Sequence, residues 1–387
     1  MQKNKKRILF LHTLPSPYRT PLFEKFANDS EIDTTVFFMA KGAKNRIWDN
    51  GEIKFKHKFL PSFTLNLKQK DDIILIWNNP TIPYEIFKGN FDLVICSGWD
   101  SIGTFLSRIT CAILRIPMII WSGSTLNEKS WRRSLMRIPV KLLINSCSAL
   151  VTYGEASKKY LQSFGVNSKK IFIAHNSVDI DYYKKISFEN FSKRTSIKNK
   201  LGIKNKYLVL FVGQFITRKG MKDLYNAIKI LNKKIDVGIL WVGHGPLEQK
   251  IKELGIKDNF KSQYFAKTHN QKETAKLYAI ADIFALPTYE DLYSNVVPEA
   301  LESGLPVITT KENGANFDYI KSEKNGFVIN SGDVKTLEQK LRLLLEDDKL
   351  RNKMSNITWN LIKKFNYNEN IKSFKNAMKY ALKIKHF

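Results

Sequence analysis

Along the chain, apolar positions fall into two successive alternating series. Short apolar and β-branched runs at Arg7–His12, Thr34–Met39, Leu93–Cys96, Pro117–Trp121 and Ile171–Ala174 predict strands. Between them, Pro21–Asn28, Ile102–Leu114, Trp131–Ser146 and Glu155–Phe164 predict helices. Strands alternating with helices imply a parallel sheet covered on both faces. Lys184–Asn205, rich in Lys, Ser and Asn, holds no sustained apolar period beyond one short helix and reads as a linker.

The second series places strands at Tyr207–Val212, Val237–Val242, Phe260–Phe265 and Asp282–Leu286, with helices at Met221–Leu231, Pro246–Leu254 and Glu273–Ile280. Met221, Leu224, Ala227, Ile228 and Leu231 form one apolar face on the first of these helices. Leu337–Leu345 and Leu361–Leu382 continue as helices. The pattern predicts an α/β fold of two Rossmann-like parallel-sheet domains, with ligands bound at the carboxyl ends of the strands. At 387 residues the chain is long enough for two cores.

Composition narrows the classes. With 43% hydrophobic and 12% aromatic residues the chain is ordinary globular material rather than disordered. The net charge of +27 partly reflects a lysine bias, but Asp and Glu do not balance it. A field of that sign favours nucleotide phosphates, lipid head groups or nucleic acid. Cys96, Cys111 and Cys147 are far apart with no Cys-x-x-Cys, which argues against a disulfide scaffold or zinc site and fits a reducing cytoplasm. The basic start Lys3-Asn4-Lys5-Lys6-Arg7 precedes an apolar run that breaks at His12 and Pro15, so it reads as a buried strand rather than a signal peptide. No run is long enough to span a bilayer.

The richest chemistry lies in Leu286–Thr310, LPTYEDLYSNVVPEALESGLPVITT. The acidic pair Glu290-Asp291 precedes a short helix carrying Glu299, which Gly304 and Pro306 end. A helix N-terminus beside carboxylates suits a ligand with phosphate and hydroxyls, such as a sugar nucleotide. Earlier, Gly213-Gln214-Phe215-Ile216-Thr217-Arg218-Lys219-Gly220 sets two adjacent cations at a strand-to-helix turn, where they can neutralise a departing diphosphate.

Leu286–Thr310 resembles the donor-binding signature of the retaining family 4 glycosyltransferases, which share the GT-B fold. Asp291 and Glu299, separated by seven residues, stand at that family's acidic pair, and Glu299–Ile308 reproduces its ending. Asp replaces the usual first Glu, and Tyr293-Ser294 replaces aromatic–Gly. Lys219-Gly220 matches a second family element, while Gln214 stands where an Arg often occurs. The resemblance implies that Arg218 and Lys219 hold the diphosphate, supported by the helix start at Ser294, Asn295 and Val296. It implies that Glu299 binds the ribose and Asp291 the donor sugar, with Gly213 and Phe265 beside the nucleotide. Gly243-His244-Gly245-Pro246 corresponds to scaffolding, as does the Asn176–Asp179 turn. His12–Arg19 resembles the acceptor-facing loop of some members, pointing to Tyr18 and Arg19. A histidine that many relatives carry is absent near Ser122-Gly123-Ser124, and Asp100 is the candidate substitute.

The implied architecture is two domains facing across a cleft: residues 1–190 for the acceptor, 200–364 for the nucleotide sugar, and a helix over 365–387 crossing back. The implied function is a retaining hexosyltransferase that uses a UDP- or GDP-sugar, needs no metal or cofactor, and glycosylates a glycan or lipid-linked glycan for capsule, lipopolysaccharide or other cell-surface polysaccharide. Trp131–Leu143, with Trp131, Leu135, Ile138 and Leu142 on one face and Arg132, Arg133 and Arg137 flanking it, points to an anionic membrane surface. The expected location is therefore cytoplasmic and peripheral on the inner face of the cell membrane. A nucleic-acid-binding protein would also explain the charge, but no recognition helix, zinc finger or RNA-binding signature is present, so nucleic acid is not expected as a partner. A GT-B epimerase or phosphorylase is the nearer alternative.

Overall fold

The central strand β1 (Lys6–His12) shows why the first sheet is covered on both sides: Leu9 and Leu11 enter one core, Ile8 and Phe10 the other. This computed structural model describes residues 5–42, 52–69, 72–128, 131–177, 180–268 and 270–386. Helix α1 (Thr20–Ala27) leads to β2 (Ile32–Phe38), parallel to β1. Then come β3 (His57–Phe59), an antiparallel hairpin of β4 (Phe63–Gln69) and β5 (Asp72–Asn78), and α2 (Ile82–Gly89). The chain continues through β6 (Leu93–Ser97), α3 (Ile102–Ile113), β7 (Met118–Ser122), α4 (Trp131–Leu135), α5 (Arg137–Ser146), β8 (Ala149–Thr152), α6 (Glu155–Gln162) and β9 (Ile171–Ile173). The result is a seven-stranded sheet ordered β3-β2-β1-β6-β7-β8-β9.

The second unit opens with α7 (Ile180–Phe191) and α8 (Arg194–Lys200). It then alternates β10 (Tyr207–Val212), α9 (Met221–Leu231), β11 (Val237–Val242), α10 (Glu248–Lys257), β12 (Gln263–Ala266) and α11 (Gln271–Ile280). After β13 (Ile283–Leu286) come α12 (Val296–Glu302), β14 (Val307–Thr310), α13 (Asn316–Tyr319), β15 (Gly326–Ile329), α14 (Val334–Glu346) and α15 (Asp348–Ile362). Its six parallel strands are ordered β12-β11-β10-β13-β14-β15. The order reverses between β10 and β13, and in such sheets ligands bind outside the carboxyl ends at that reversal.

The compact units are Met1–Asn176 with Tyr367–Phe387, and Ser177–Asn366. Three sequence expectations need correction. Lys184–Asn205 is not a linker: α7 packs into the second unit, with Tyr183 buried 6.0 Å from the Tyr278 ring and the Ser187 hydroxyl donating to the Ser303 carbonyl at 3.0 Å. Its buried anchors, Tyr183 and Ile186, are too few to give a period in a lysine-rich stretch, so the first boundary falls near 176 rather than 190. The helix expected over Trp131–Ser146 is interrupted at Met136, and the one over Leu361–Leu382 between Ile362 and Tyr367. The β4–β5 hairpin, α2 and β8 were not anticipated.

Helix α16 (Tyr367–Leu382) completes the first unit. Its Phe374 is fully buried, with ring centroids 6.1 Å from Phe10, 5.4 Å from Phe26 and 4.9 Å from Trp121. Phe374→Ala should therefore lower the stability of this unit by about 3–5 kcal/mol in urea unfolding. A loss under about 1 kcal/mol would mean that α16 is not part of its core.

Candidate active site

The turn after β10 is shaped by two backbone contacts. Gly243, at the end of β11, lies so close to Gly213 that a Cβ there would sit 2.0 Å from the Gly213 carbonyl oxygen. The Gly213 N–H donates to the Val242 carbonyl at 3.0 Å, which holds the two strand ends together. Gly243-His244-Gly245-Pro246 is thus scaffolding. Thr217–Lys219 then forms one 3-10 turn, and Gly220, in the left-handed region at φ 71°, starts α9. A Cβ at 220 would lie 1.9 Å from the Pro287 carbonyl oxygen, so only glycine lets this turn press against the end of β13.

That approach joins the two sequence motifs. The Arg218 carbonyl accepts the Tyr289 N–H and the Thr288 hydroxyl, each at 2.7 Å. The Arg218 guanidinium donates to the Glu290 carbonyl at 3.1 Å, and the Lys219 ammonium pairs with the Asp291 carboxylate. Ser294 donates its hydroxyl to the same carboxylate oxygen. Asp291 is fixed from behind as well: its N–H donates to the Glu312 carbonyl at 3.2 Å and its carbonyl accepts the Gly314 N–H at 3.0 Å. Arg218 and Lys219, expected at a strand-to-helix turn, are half-buried there; the side chains of Lys219 and Asp291 are each only 12% exposed. Burial alone would raise the Asp291 carboxyl, but the Lys219 ammonium, the Ser294 hydroxyl and the Arg218 charge outweigh it and hold it below the usual carboxylate range.

The remaining candidates on this unit are arranged around the cluster. Asn295 precedes α12 without a side-chain cap, and Val296 begins it. Glu299 lies in the first turn of α12 but turns inward: it is 1% exposed, and its Oε2 accepts the Tyr278 hydroxyl at 2.8 Å. Tyr278 therefore positions Glu299, a partner that the sequence motif did not reveal because it comes from α11. Phe265, at the carboxyl end of β12, is half-buried with its ring 6.5 Å from Phe215 and the Lys252 ammonium 4.9 Å above it.

In the first unit the loop after β1 is built by packing. Arg19, expected on an acceptor-facing loop, is buried instead. Its guanidinium lies 4.3 Å from the Trp121 ring and 4.8 Å from that of Tyr153, donates to Asn176, and is buried. A flat, weakly hydrated cation between aromatic faces serves as a structural brace. His12 also stacks on Trp121, at 5.6 Å, and the Tyr18 carbonyl accepts the Tyr367 hydroxyl at 3.2 Å. Asp100 is exposed just beyond β6, before α3. The sequence reading missed the group nearby: Glu128 pairs with Arg133 and accepts the Thr125 N–H at 3.0 Å. Burial pushes Glu128 up to about 7, although Arg133 and the Thr125 N–H pull it back. Val178 and Asp179, of the expected turn, lie outside the described residues.

Comparison with known proteins places these motifs in context. The family of glycosyl transferases group 1 matches residues 193–359, and glycosyltransferase family 4 matches residues 47–182. A capsular polysaccharide biosynthesis glycosyltransferase, CapM of Staphylococcus aureus, is 26% identical over 262 residues, covering 65% of this chain and 66% of that protein. An N,N'-diacetylbacillosaminyl-diphospho-undecaprenol alpha-1,3-N-acetylgalactosaminyltransferase of Campylobacter jejuni is 23% identical over 242 residues, covering 61% and 62%. The matched stretch thus spans just under two thirds of each of these relatives. The crystal structure of Anabaena Alr3699/HepE in complex with UDP superposes with a TM-score of 0.76 at 17% identity, covering 96% of this chain and 99% of that one.

Two outcomes follow from the geometry. Lys219→Ala strands a buried carboxylate and should cost the second unit about 3–5 kcal/mol in urea unfolding, whereas adding Asp291→Ala should restore much of the loss. A loss in the double variant equal to the sum of the Lys219→Ala and Asp291→Ala losses would show that the pair is not coupled. For Glu128, a raised value in the folded state means stability that is present at acid pH and lost as pH rises from 4.5 to about 7. Thermal midpoints of Glu128→Gln across that window should show a flatter decline than the wild type; an identical slope contradicts this.

Proposed function

This chain belongs to the glycosyl transferases of group 1, family 4, with the GT-B architecture, and on that premise we propose that it transfers a hexose from a UDP- or GDP-sugar with retention of configuration. The observation that carries this reading is the joining of Arg218 to the Glu290 carbonyl, and of Lys219 and Ser294 to the Asp291 carboxylate, just beyond the carboxyl ends of β10 and β13. Cleaving the sugar–phosphate bond leaves a diphosphate, and two fixed cations beside it stabilise the charge that develops. Because their positions are set by backbone contacts, little reorganisation is needed as the bond breaks.

In this reading Arg218 and Lys219 hold the diphosphate and Asp291 takes a hydroxyl of the donor sugar. Glu299, positioned by Tyr278, is assigned to the ribose, and Phe265 with Gly213 to the nucleotide edge. The acceptor hydroxyl attacks from the face the diphosphate leaves and gives up its proton to the leaving phosphate. No protein nucleophile is assigned and no metal is required, the basic pair supplying the positive charge. The acceptor is a glycan or lipid-linked glycan of a cell-surface polysaccharide, with Tyr18 and Asp100 as the acceptor-side candidates. The protein works on the inner face of the cell membrane as a peripheral protein; among the described residues no helix is long and apolar enough to cross a membrane.

The test is a set of binding and transfer measurements on the full chain. Arg218→Ala should reduce kcat/KM about ten- to hundredfold, the loss of one charged hydrogen bond of roughly 1.5–3 kcal/mol. Glu299→Gln should weaken UDP or GDP binding in calorimetry, and transfer should persist in EDTA. Wild-type kinetics in Arg218→Ala, unchanged nucleotide affinity in Glu299→Gln, or rescue of an EDTA-abolished activity by a divalent ion would each remove the corresponding assignment.

A further inference from the structure

Helices α2, α3 and α5 pack on the same face of the seven-stranded sheet, burying Ile82 and Ile86, Cys111, and Val140, Leu143 and Ile144. Arg108 ties α3 to α5, donating to the Ser146 hydroxyl at 2.9 Å and to its carbonyl at 3.0 Å. The surfaces facing away from the sheet are apolar. Phe87 on α2 is 68% exposed, Ile113 on α3 75%, and Ile138 and Leu142 on α5 71% and 68%. Ile109 on α3 and Leu135 at the end of α4 extend the same surface.

The charge on this surface has one sign. Lys88, Arg115, Arg137 and Lys141 are all exposed around the apolar side chains. The only acid within α2, α3 and α5 is Glu85, which bonds Lys58 at 2.6 Å. Other helices are different: α6 pairs Lys158 with Glu155, α10 pairs Lys252 with Glu248, and α14 pairs Arg342 with Glu338. A lysine-rich composition shared by all of them therefore does not by itself account for α3 and α5, which carry no acid. Large exposed apolar surfaces mark interaction sites, and apolar side chains ringed by cations suit an anionic bilayer, where the former enter the acyl boundary and the latter meet phosphates.

We propose that the outer layer formed by α2, α3 and α5 is the surface on which this protein lies on an anionic membrane. The inference deepens the reading of a lipid-linked acceptor and rests on it. A second copy of the chain is a poorer occupant, because a twofold interface would set this cationic surface against itself. The structure also revises the sequence-derived segment. Leu135, Ile138 and Leu142 are exposed as expected, but Arg133 is engaged by Glu128 and is not available to lipid. The side chains of Trp131 and Arg132 lie outside the described residues. The surface is instead broader, extending over α2 and α3.

Co-sedimentation of the full chain with phosphatidylglycerol/phosphatidylcholine vesicles at low salt tests the proposal. Arg115→Glu/Arg137→Glu/Lys141→Glu should lower the partition at least about a hundredfold. Ile109→Ser/Ile138→Ser/Leu142→Ser should also release the protein. All six positions except Ile109 and Arg115 are on α5, and the charge-reversed variant changes only exposed side chains, so it remains informative should the apolar variant misfold. Both variants should keep wild-type affinity for UDP or GDP in calorimetry; failure of the wild type to bind either nucleotide would sink the donor reading while leaving the vesicle result to stand on its own. The proposal is overturned if the wild type stays in the supernatant with anionic vesicles, or if the charge-reversed variant pellets equally well. A wild-type dimer in sedimentation equilibrium that the apolar variant dissociates would overturn it too, by assigning the surface to a second copy.

Discussion

The close approach of Gly220 to the Pro287 carbonyl is the contact on which the chemistry of the second unit depends. A side chain at 220 would collide with that carbonyl at 1.9 Å, so the β10–α9 turn can lie against the end of β13 only with glycine there. Once it does, the Arg218 carbonyl is within reach of both Thr288 and Tyr289, the Arg218 guanidinium reaches the Glu290 carbonyl, and Lys219 meets Asp291. The backbone contact and the ion pair occur together at this turn. A charged cluster whose geometry is fixed by main-chain hydrogen bonds is preorganised in the sense that electrostatic catalysis requires.

Asp291 joins this contact to the rest of the sheet. Its backbone bridges to Asn313 after β14, and the Thr310 hydroxyl donates to the Thr288 carbonyl at 2.6 Å. The ends of β10, β13 and β14 are consequently held as one piece, and the reversal of strand order between β10 and β13 places that piece where ligands bind in parallel sheets. Farther along the same segment, Glu299 is held through Tyr278, which in turn packs on Tyr183 of α7. The helix that looked like a linker thus supports a residue of the donor motif.

The first unit uses its polar residues differently. Arg19 and His12 both pack on Trp121, and Phe374 from the last helix closes the same aromatic core. Arg19, the cation of this loop, is buried against the Trp121 and Tyr153 rings. The high positive charge is also distributed unevenly: ion pairs temper it on α6, α10 and α14, whereas on α2, α3 and α5 it surrounds exposed apolar side chains.

By itself the sequence determined the alternation of strands and helices, the parallel character of both sheets, and the two motifs that carry Arg218, Lys219 and Asp291. Those features are local: period-two and period-3.6 apolar patterns and glycine-bounded turns record which backbone each segment adopts. The tertiary structure decided the rest. Arg19 was legible as a cation in a strand-end loop, but only the tertiary placement of Trp121 on β7 and of Tyr153 after β8 gives it the rings it packs on. Glu299 was legible as a motif residue, but its hydroxyl partner lies 21 positions away on another helix. The pairing of Glu128 with Arg133 has no motif at all, and the membership of α7 in the second unit rests on two buried side chains in a polar stretch. Which side chains share an environment is set by how the elements pack, and contacts between distant segments leave no period in the chain to read.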